Sequence, residues 1–319
     1  MSIKRLPLVP PAILKKHKVY RPGDTRFRAC ARLLQALWRE QQNISLTSHF
    51  DKKTKKRRPL GSLISAKNAL QGINFITPAI AQLAKRELVY REEGALYDEA
   101  RLWTNLLSSQ PLCFNLFGPL KLNLELATAF FQVLFPTKIH NVNELYFEHS
   151  PGRNDSTHIT DKTAFDVLVT GTTPNEALAF IAIEVKYSES MNEPAMPILP
   201  RYDELSERSG LFKDPTHPAL RKPPLQQLWR EHLLSRTMID KGLYRQGIFV
   251  IVHPAQNTQC VTAIGKYRQH LITPALPDFI AVTLEDCLAT LTTLGETATA
   301  QALHARYLDF SQIDRAIFG

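Results

Sequence analysis

Two apolar runs joined by a polar loop lie near the middle of the chain and predict a strand hairpin. The runs span residues 165–169 and 177–183, and the loop between them contains Gly171, Pro174 and Asn175. Asp166 stands at the start of the first run, and the second ends in Glu184-Val185-Lys186. The pattern therefore predicts a buried strand pair with two carboxylates and an ammonium group at one edge.

Residue spacing decides which of these side chains can act together. Glu184 and Lys186 are two positions apart in a strand, so they leave the same face while Val185 points to the other. Burying these charges without partners would be costly. A metal ion held by Asp166 and Glu184, with the Ile183 or Val185 carbonyl nearby, would neutralise the carboxylates, and Lys186 could steady a hydroxide or a phosphate oxygen. A solvated ion pair at the end of a strand would give the same tripeptide, and this alternative stays open.

The hairpin register poses a difficulty. A symmetric hairpin that pairs Thr170 with Ala177 puts Asp166 opposite Ile181, on the face away from Glu184. Because a shift of one residue moves a strand's side chains to the other face, we expect a bulge or an asymmetric loop.

Hydrophobic periodicity predicts the other elements. Helical spacing predicts helices at 26–42, 66–70, 79–87, 92–107, 122–134, 225–241, 259–271, 284–294 and 297–308. Strands are predicted at 143–149, 247–253 and 279–283, and Gly118-Pro119 is expected to stop an apolar segment. The proline-rich and charged residues 188–224 predict a functional flap or a partly ordered insert. No element is predicted in the tail, residues 310–319.

Three further side chains are candidates from these elements. Glu148, in the strand at 143–149, could add a third carboxylate to the site. Gln227 and Arg230 are three residues apart on the helix at 225–241, so they are neighbours on its surface.

Composition narrows the class of protein. No apolar run approaches the roughly 18 residues of a membrane span, and the amino terminus lacks the apolar segment of a secretory signal. We therefore expect a cytoplasmic protein with no membrane partner. The four cysteines are scattered without a C-x-x-C pair, which argues against structural zinc and a disulfide framework.

Positive charge is concentrated in the first 60 residues. The formal net charge is +9, and phosphate is the natural counterpart of such a basic segment. A solubilising loop is the alternative for a single basic run. Together with a candidate metal site, the charge favours nucleic acid, and the candidate phosphate-binding residues are Lys52, Lys53, Lys55, Lys56, Arg57, Arg58 and Arg153.

From residue 122 the predicted order is helix, strand, strand, strand, helix, strand, which makes a mixed sheet flanked by helices. This order, with Asp166 and then Glu184-Val185-Lys186 after a hairpin, resembles the PD-(D/E)XK nuclease superfamily over roughly residues 120–285. The strings at 105–118, 147–153 and 227–230 are similar to a bacterial group catalogued as restriction endonucleases within that superfamily. One departure is Phe165, which stands where the superfamily has its nominal proline.

The resemblance implies a role for each candidate. It implies Asp166 and Glu184 as metal ligands, with Glu148 as an accessory carboxylate that could also bind metal. It implies Lys186 as the residue that positions water or contacts phosphate, and Gln227 and Arg230 as helix residues that face the site. The implied cofactor is Mg²⁺, with Mn²⁺ able to substitute, and the implied partner is DNA.

The expected fold class is α/β, with a restriction-endonuclease-like mixed central sheet flanked by helices and a basic, mainly helical N-terminal region. We expect residues 1–110 to form that region, packed on or linked to the core. Residues 111–319 would form the nuclease domain, with an insert at about 188–224.

The expected function is a magnesium-dependent endonuclease that cuts DNA, in restriction or defence. The alternatives are a catalytically inactive DNA-binding protein with this fold, or a nuclease acting on RNA or branched DNA in repair or mobile-element movement. If cutting is double-stranded, analogy predicts a homodimer.

Overall fold

The computed structural model describes residues 5–51 and 55–319, and of Asp51 only the backbone. Lys52 and Lys53 of the predicted basic cluster lie outside the described residues. The strands are β1 Leu46–Asp51, β2 Lys56–Ile64, β3 Asn141–His149, β4 Phe165–Thr172, β5 Leu178–Val185, β6 Gln246–His253 and β7 Phe279–Thr283. The helices are α1 Pro11–Lys16, α2 Arg26–Gln41, α3 Ala66–Leu70, α4 Pro78–Val89, α5 Glu99–Thr104, α6 Ser109–Leu122, α7 Leu124–Leu134, α8 Pro200–Ser209, α9 Gln226–Asp240, α10 Thr258–His270, α11 Leu284–Thr293, α12 Thr297–Tyr307 and α13 Ser311–Phe318.

A mixed five-stranded sheet, ordered β3-β4-β5-β6-β7, forms the centre of the molecule. The β3–β4 and β4–β5 pairs are antiparallel, whereas β5–β6 and β6–β7 are parallel. Helices cover both faces, which explains why β5 and β6 are apolar along nearly their whole length. The predicted mixed α/β architecture is confirmed.

Each face of the sheet has its own apolar core. Val167, Ile183 and Val250 pack into a core that includes Leu34 of α2 and Phe117 of α6. Leu168, Ala182 and Ile251 pack into a second core with Trp229 of α9 and Tyr267 of α10. The first core joins the N-terminal region to the sheet, because residues of α2, α4 and α5 belong to it.

The β4–β5 register differs from the symmetric hairpin considered above. Val167 pairs with Ile183 and Thr170 with Phe180, with no register shift along the pair. Thr173 N donates to Ala177 O at 2.9 Å and closes a five-residue loop. The expected bulge or asymmetric loop is therefore wrong. The register is offset by three residues from the Thr170–Ala177 pairing, and this odd offset brings Asp166 to the face of Glu184.

Several helix predictions differ from the structure. Of the predicted helix at 92–107 only α5 forms, and it begins after its N-cap Asp98. Gly118-Pro119 does not stop α6, which contains Pro119 and ends at Leu122. Asn123 then caps α7 by accepting a hydrogen bond from Leu126 N at 3.0 Å, so the predicted helix at 122–134 is divided. The insert contains α8, and the tail forms α13.

Lys56, Arg57 and Arg58 of the basic cluster lie on β2, in an antiparallel hairpin of β1 and β2 that the sequence pattern did not predict. Lys55, Lys56, Arg57 and Arg58 are exposed at its far end. Its base is held to α2, because Arg39 Nε donates to Gly61 O at 2.9 Å and Arg32 Nη1 to Ser62 Oγ at 3.2 Å. Over the described residues, no helix is both long enough and apolar enough to cross a membrane.

Candidate active site

A cleft of about 460 Å³ opens where β5 ends, between the start of α6, α2 near Arg28 and Arg32, and the first turn of α9. Four of the predicted site residues line it, namely Asp166, Glu184, Lys186 and Gln227. The pairing of Val167 with Ile183 continues so that Asp166 lies level with Glu184 on the neighbouring strand. The sheet therefore brings the two predicted metal ligands and the predicted lysine into one cleft.

Lys186 is the hydrogen-bond centre of this cluster. Its Nζ lies 2.6 Å from Glu184 Oε1 and donates to Gln227 Oε1 at 2.8 Å. The Gln227 amide in turn donates to Glu184 Oε1 at 2.7 Å. Glu184 and Lys186 are 5% and 6% exposed, so the alternative of a solvated ion pair at a strand end is wrong.

Asp166 is held by the backbone of the next strand. Its Oδ2 accepts a hydrogen bond from Val185 N at 2.8 Å, which fixes the carboxylate at the end of β5. Burial raises the pKa of Asp166 well above its ordinary value, and the charges of Glu184 and Glu148 raise it further. Negative charge is thus in excess at this point of the sheet.

Lys186 carries a positive charge in this environment. Burial alone would lower the pKa of its ammonium group, but the charges of Glu184, Glu231 and Glu189 more than offset that effect and raise the pKa above its ordinary value. Lys186 is therefore suited to hold an anion or orient a nucleophile, and not to act as a neutral base.

Glu148 lies on β3, beyond Asp166 as seen from Glu184. The pairs Phe147–Val167 and His149–Phe165 place it level with Asp166, in a left-handed backbone conformation with φ of 48°. Burial raises its pKa to about 7, with Glu184 and Glu92 also raising it and Arg153 opposing. Its charge therefore acts on the site.

Arg153 and Arg230 are turned away from the cleft. Arg153 Nη2 donates to Glu148 O at 3.0 Å and to Glu92 Oε2 at 3.3 Å, and the side chain is only 6% exposed. Arg230 Nη2 lies 2.5 Å from Asp161 Oδ2 and also contacts Thr163 Oγ1. In this conformation Arg153 supports the strand of Glu148, and Arg230 faces a neighbouring cavity instead of the carboxylates.

Two further carboxylates at the site, of which Glu231 is buried and Glu189 half-buried, were missed by sequence reasoning. Glu189 Oε2 accepts from Tyr187 N at 2.8 Å, and its Oε1 accepts from Ser109 N at 3.1 Å, so it ties the end of β5 to the start of α6. Glu231 Oε1 accepts from Gln227 Nε2 at 2.8 Å. The spacing of Gln227 and Glu231, four residues apart on one helix face, is the sequence signal that could have found Glu231.

Three arginines line the rest of the cleft, namely Arg28, Arg32 and Arg101. Arg32 Nε donates to Asp24 Oδ2 at 2.6 Å, and Arg101 Nη2 lies 3.4 Å from Glu189 Oε1. The first two lie on α2, where Arg32 is buried and Arg28 is half-buried.

The described residues contain no group of three or more His, Cys, Asp or Glu side chains placed to hold a metal ion. Glu148 therefore does not join Asp166 and Glu184 as a third ligand in this conformation. Two buried carboxylates with excess negative charge nonetheless fit Mg²⁺, which is usually held by one or two carboxylates together with water and substrate phosphate.

Comparison with known proteins agrees with this geometry. Residues 22–309 match the model of a family described as the PD-(D/E)XK nuclease superfamily. No curated protein and no solved structure matches the chain. Because the match spans most of the 319 residues and includes the sheet, α9 and the cleft, the chain belongs to the PD-(D/E)XK nuclease superfamily.

Proposed function

We propose that this protein is a metal-dependent endonuclease that hydrolyses phosphodiester bonds in DNA. One observation carries the proposal: Asp166, Glu184 and Lys186 line a single cleft, with the Lys186 ammonium 2.6 Å from the Glu184 carboxylate. Buried carboxylates beside a buried ammonium group and an open cleft are what hydrolysis of a phosphodiester needs.

Asp166 and Glu184 would hold the metal ion, with a main-chain carbonyl of Ile183 or Val185 as a further oxygen ligand. The proposed ion is Mg²⁺, with Mn²⁺ able to replace it. When bound, the ion would lower the pKa of water and offset the negative charge on the phosphate. Glu148 is proposed as an accessory carboxylate that adds negative charge near Asp166.

Lys186 would orient the attacking water and contact a phosphate oxygen, because its charge is retained at neutral pH. Gln227 would keep Lys186 and Glu184 in place, since its amide group is hydrogen-bonded to both. A catalytic role for Arg230 would require its guanidinium to leave Asp161 when substrate binds.

DNA is the proposed substrate because basic side chains surround the cleft and extend along the hairpin of β1 and β2. Arg28, Arg32 and Arg101 line the cleft. Phosphate groups along a nucleic-acid strand would meet these side chains and the cluster Lys52, Lys53, Lys55, Lys56, Arg57 and Arg58. A phosphate contact by Arg153 would require it to leave Glu148 and Glu92. A role in restriction or defence, and a homodimer, remain predictions.

Replacement of Lys186 by alanine tests the proposal most directly. We expect Lys186→Ala and Asp166→Ala to lower the initial rate of plasmid cleavage with Mg²⁺ by at least about 100-fold, since each removes a group that stabilises the transition state. The matched control is Lys85→Ala, an exposed lysine on α4, which should cleave at the wild-type rate. Cleavage by Lys186→Ala at the wild-type rate would show that the catalytic assignment is wrong.

The same assay separates the alternatives. Metal-independent, salt-sensitive DNA binding by the wild-type protein without any cleavage would identify an inactive DNA-binding protein. Faster cleavage of RNA or of branched DNA than of plasmid would change the substrate but keep the site.

A further inference from the structure

A second cavity, of about 310 Å³, adjoins the cleft. It lies between α9 and two stretches of the insert, residues 191–196 and 223–224. Gln227 and Glu193 line both cavities, so the second opens beside the groups proposed to hold the metal and the phosphate. Its volume is at the lower end of the roughly 300–1,000 Å³ typical of small-molecule pockets.

The walls of this cavity are apolar on the insert side and largely polar on the side of α9. Apolar side chains from the insert line it, namely Met191, Pro194, Met196, Pro223 and Pro224. Methionine and proline offer the flat or adaptable apolar surfaces on which a planar ring can lie.

The polar group that argues most directly for a ligand in this cavity is the carboxyl group of Glu231. The residue is 3% exposed, and its Oε1 is used by Gln227. Its Oε2 is buried with no hydrogen-bond partner among the described residues, and the same holds for Nε of the adjacent Arg230. Other described side chains also have buried polar atoms without a partner, but these two belong to adjacent residues that line one cavity, so a single ligand there could satisfy both.

The wall formed by the insert is held in place. Gln226 Oε1 accepts from Met196 N at 2.7 Å, and Gln226 Nε2 donates to Met196 O at 2.6 Å. This pair of hydrogen bonds fixes the main chain of the insert against the start of α9. The cavity is therefore bounded on the insert side by an ordered segment.

We propose that this cavity binds a nucleobase of the substrate strand, next to the phosphate held in the cleft. The inference rests on the proposed function and specifies its substrate, because a base can enter the cavity only when it is out of the base stack. An ionised Glu231 Oε2 accepts from a base amino group, and a protonated one donates to a ring nitrogen or a carbonyl. Arg230 Nε donates to a second acceptor on the base edge. Nucleotides in single strands, at mismatches or in branched DNA are unstacked at the lowest cost, so such DNA is the preferred substrate.

Binding to a backbone with a single base tests the proposal. The probes are fluorescein-labelled 12-nucleotide strands that are fully abasic, or abasic except for one central adenine, cytosine, guanine or thymine. Their Kd values are measured by anisotropy without divalent metal ions, and plasmid cleavage with Mg²⁺ is measured on the same preparation. We expect at least one of the four bases to lower the Kd by about tenfold relative to the abasic strand, the effect of one well-placed polar contact.

Filling the cavity should remove this preference. Ala164 lines the cavity, and Ala164→Leu should bring the ratio of abasic to base-containing Kd close to one. Ala177→Leu, a half-buried alanine in the loop at the other end of β4, is the matched control and should keep the wild-type ratio. Glutamine is nearly the same size as glutamate, so Glu231→Gln should change which base binds most tightly. This variant provides the test if Ala164→Leu does not fold.

The outcomes separate the two proposals. Cleavage with all four Kd values within twofold of the abasic value would overturn the base pocket and leave the nuclease proposal intact. A base preference that Ala164→Leu removes, without any cleavage, would support the pocket and overturn the nuclease proposal. A base preference that survives both Ala164→Leu and Glu231→Gln would place the base elsewhere and overturn the pocket. No binding to any strand would overturn the pocket, and the absence of cleavage as well would overturn both proposals.

Discussion

Two clusters of buried charge differ in how that charge is compensated. Arg306 of α12 is 1% exposed, yet its guanidinium donates to Asn74 O at 2.6 Å and to Asn74 Oδ1. The same group lies over the rings of Trp38 and Tyr307, at 4.5 Å and 4.9 Å from their centroids. A single cation is thus surrounded by neutral acceptors and aromatic faces, as a structural buried charge requires.

The cleft of Asp166 and Glu184 has the opposite balance. Glu184 and Glu231 are buried, Asp166 and Glu189 are half-buried, and Lys186 is the one buried ammonium group among them in the part of the chain that the structure describes. Arg101 Nη2 lies 3.4 Å from Glu189 Oε1. A buried charge alone therefore does not mark a functional site. An excess of charge of one sign beside an open cleft does, because protonation, a cation or a ligand must offset it.

The largest effect on stability is expected at Arg306. Arg306→Ala should lower the free energy of unfolding by about 3–5 kcal/mol, because it removes the Arg306 donor from the buried Asn74 Oδ1 and opens a cavity. Urea denaturation monitored by tryptophan fluorescence measures the change. The control is Arg315→Ala, whose side chain is 70% exposed and 3.6 Å from Asp309, and which should change stability by less than about 1 kcal/mol. An equal loss of unfolding free energy in the two variants would contradict the structural role given to the buried Arg306.

At Asp166 the expected effect of a substitution is on the stabilisation of the protein by Mg²⁺. Mg²⁺ at roughly 100 times its Kd should stabilise the wild-type protein by about 2.7 kcal/mol and should hardly affect Asp166→Asn, which lacks a ligand. Thermal unfolding with and without Mg²⁺ measures both. Asp240→Asn, at an exposed ion pair with Arg236, should respond to Mg²⁺ as the wild type does.

The pKa of Asp166 determines the direction in which stability changes with pH. Because its pKa is raised in the folded protein, its contribution to stability is present at low pH and is lost as pH rises above the unfolded value. Asp166→Asn without metal should therefore gain stability over the wild type as pH rises from about 4. A constant difference across pH would contradict this account of the site.

His232 is a buried titratable group outside the cleft, and we expect it to make the protein less stable as pH falls. Burial lowers its pKa to about 3, with Arg236 adding to the shift, while its ordinary value is 6.5. Its contribution to stability is full above pH 6.5 and falls as pH drops, by about 2 kcal/mol at pH 5. His232→Phe, in a pocket already lined by Phe249 and Phe279, should flatten this part of the stability profile. An unchanged slope in the variant would show that other groups cause the acid sensitivity.

Substitutions in the hairpin of β1 and β2 are expected to have the smallest effect per residue, and the effect is on DNA binding. Lys55, Lys56, Arg57 and Arg58 are exposed and act on phosphate through water and salt. Each alanine replacement should lower the slope of log Kd against log salt concentration for DNA by about 1, if that side chain contacts a phosphate. Filter binding at several salt concentrations measures the slope. An unchanged slope for the fourfold variant would support a solubilising role for the cluster.

The sequence predicted most of the sheet because helices cover it on both sides. Residues of β6 and β7 appear as apolar runs, and β3 alternates between buried and exposed positions. The alignment of Asp166 with Glu184 could not be predicted in the same way, because it depends on an odd offset in register that the apolar pattern of these strands does not determine.

Other errors have similar physical causes. The hairpin of β1 and β2 lacks an apolar face along Lys56–Arg58, so it resembled a charged loop. Gly118-Pro119 stays inside α6, where the small Gly118 lies against Ile80 and any larger residue would crowd it. Glutamate usually lies on the surface of proteins, and only the buried position of Glu231 on α9 shows that it belongs to the site.

The two hydrogen bonds between Gln226 and Met196 have a consequence for how this protein can diverge. A side-chain amide has the same donor and acceptor as a peptide group, so Gln226 holds the insert as one rung of a β-ladder would, but without requiring a strand. Main-chain atoms of any residue except proline can make these bonds. The insert can therefore change in sequence and length while α9 and the cleft stay fixed, and we expect relatives with the same cleft to differ most there.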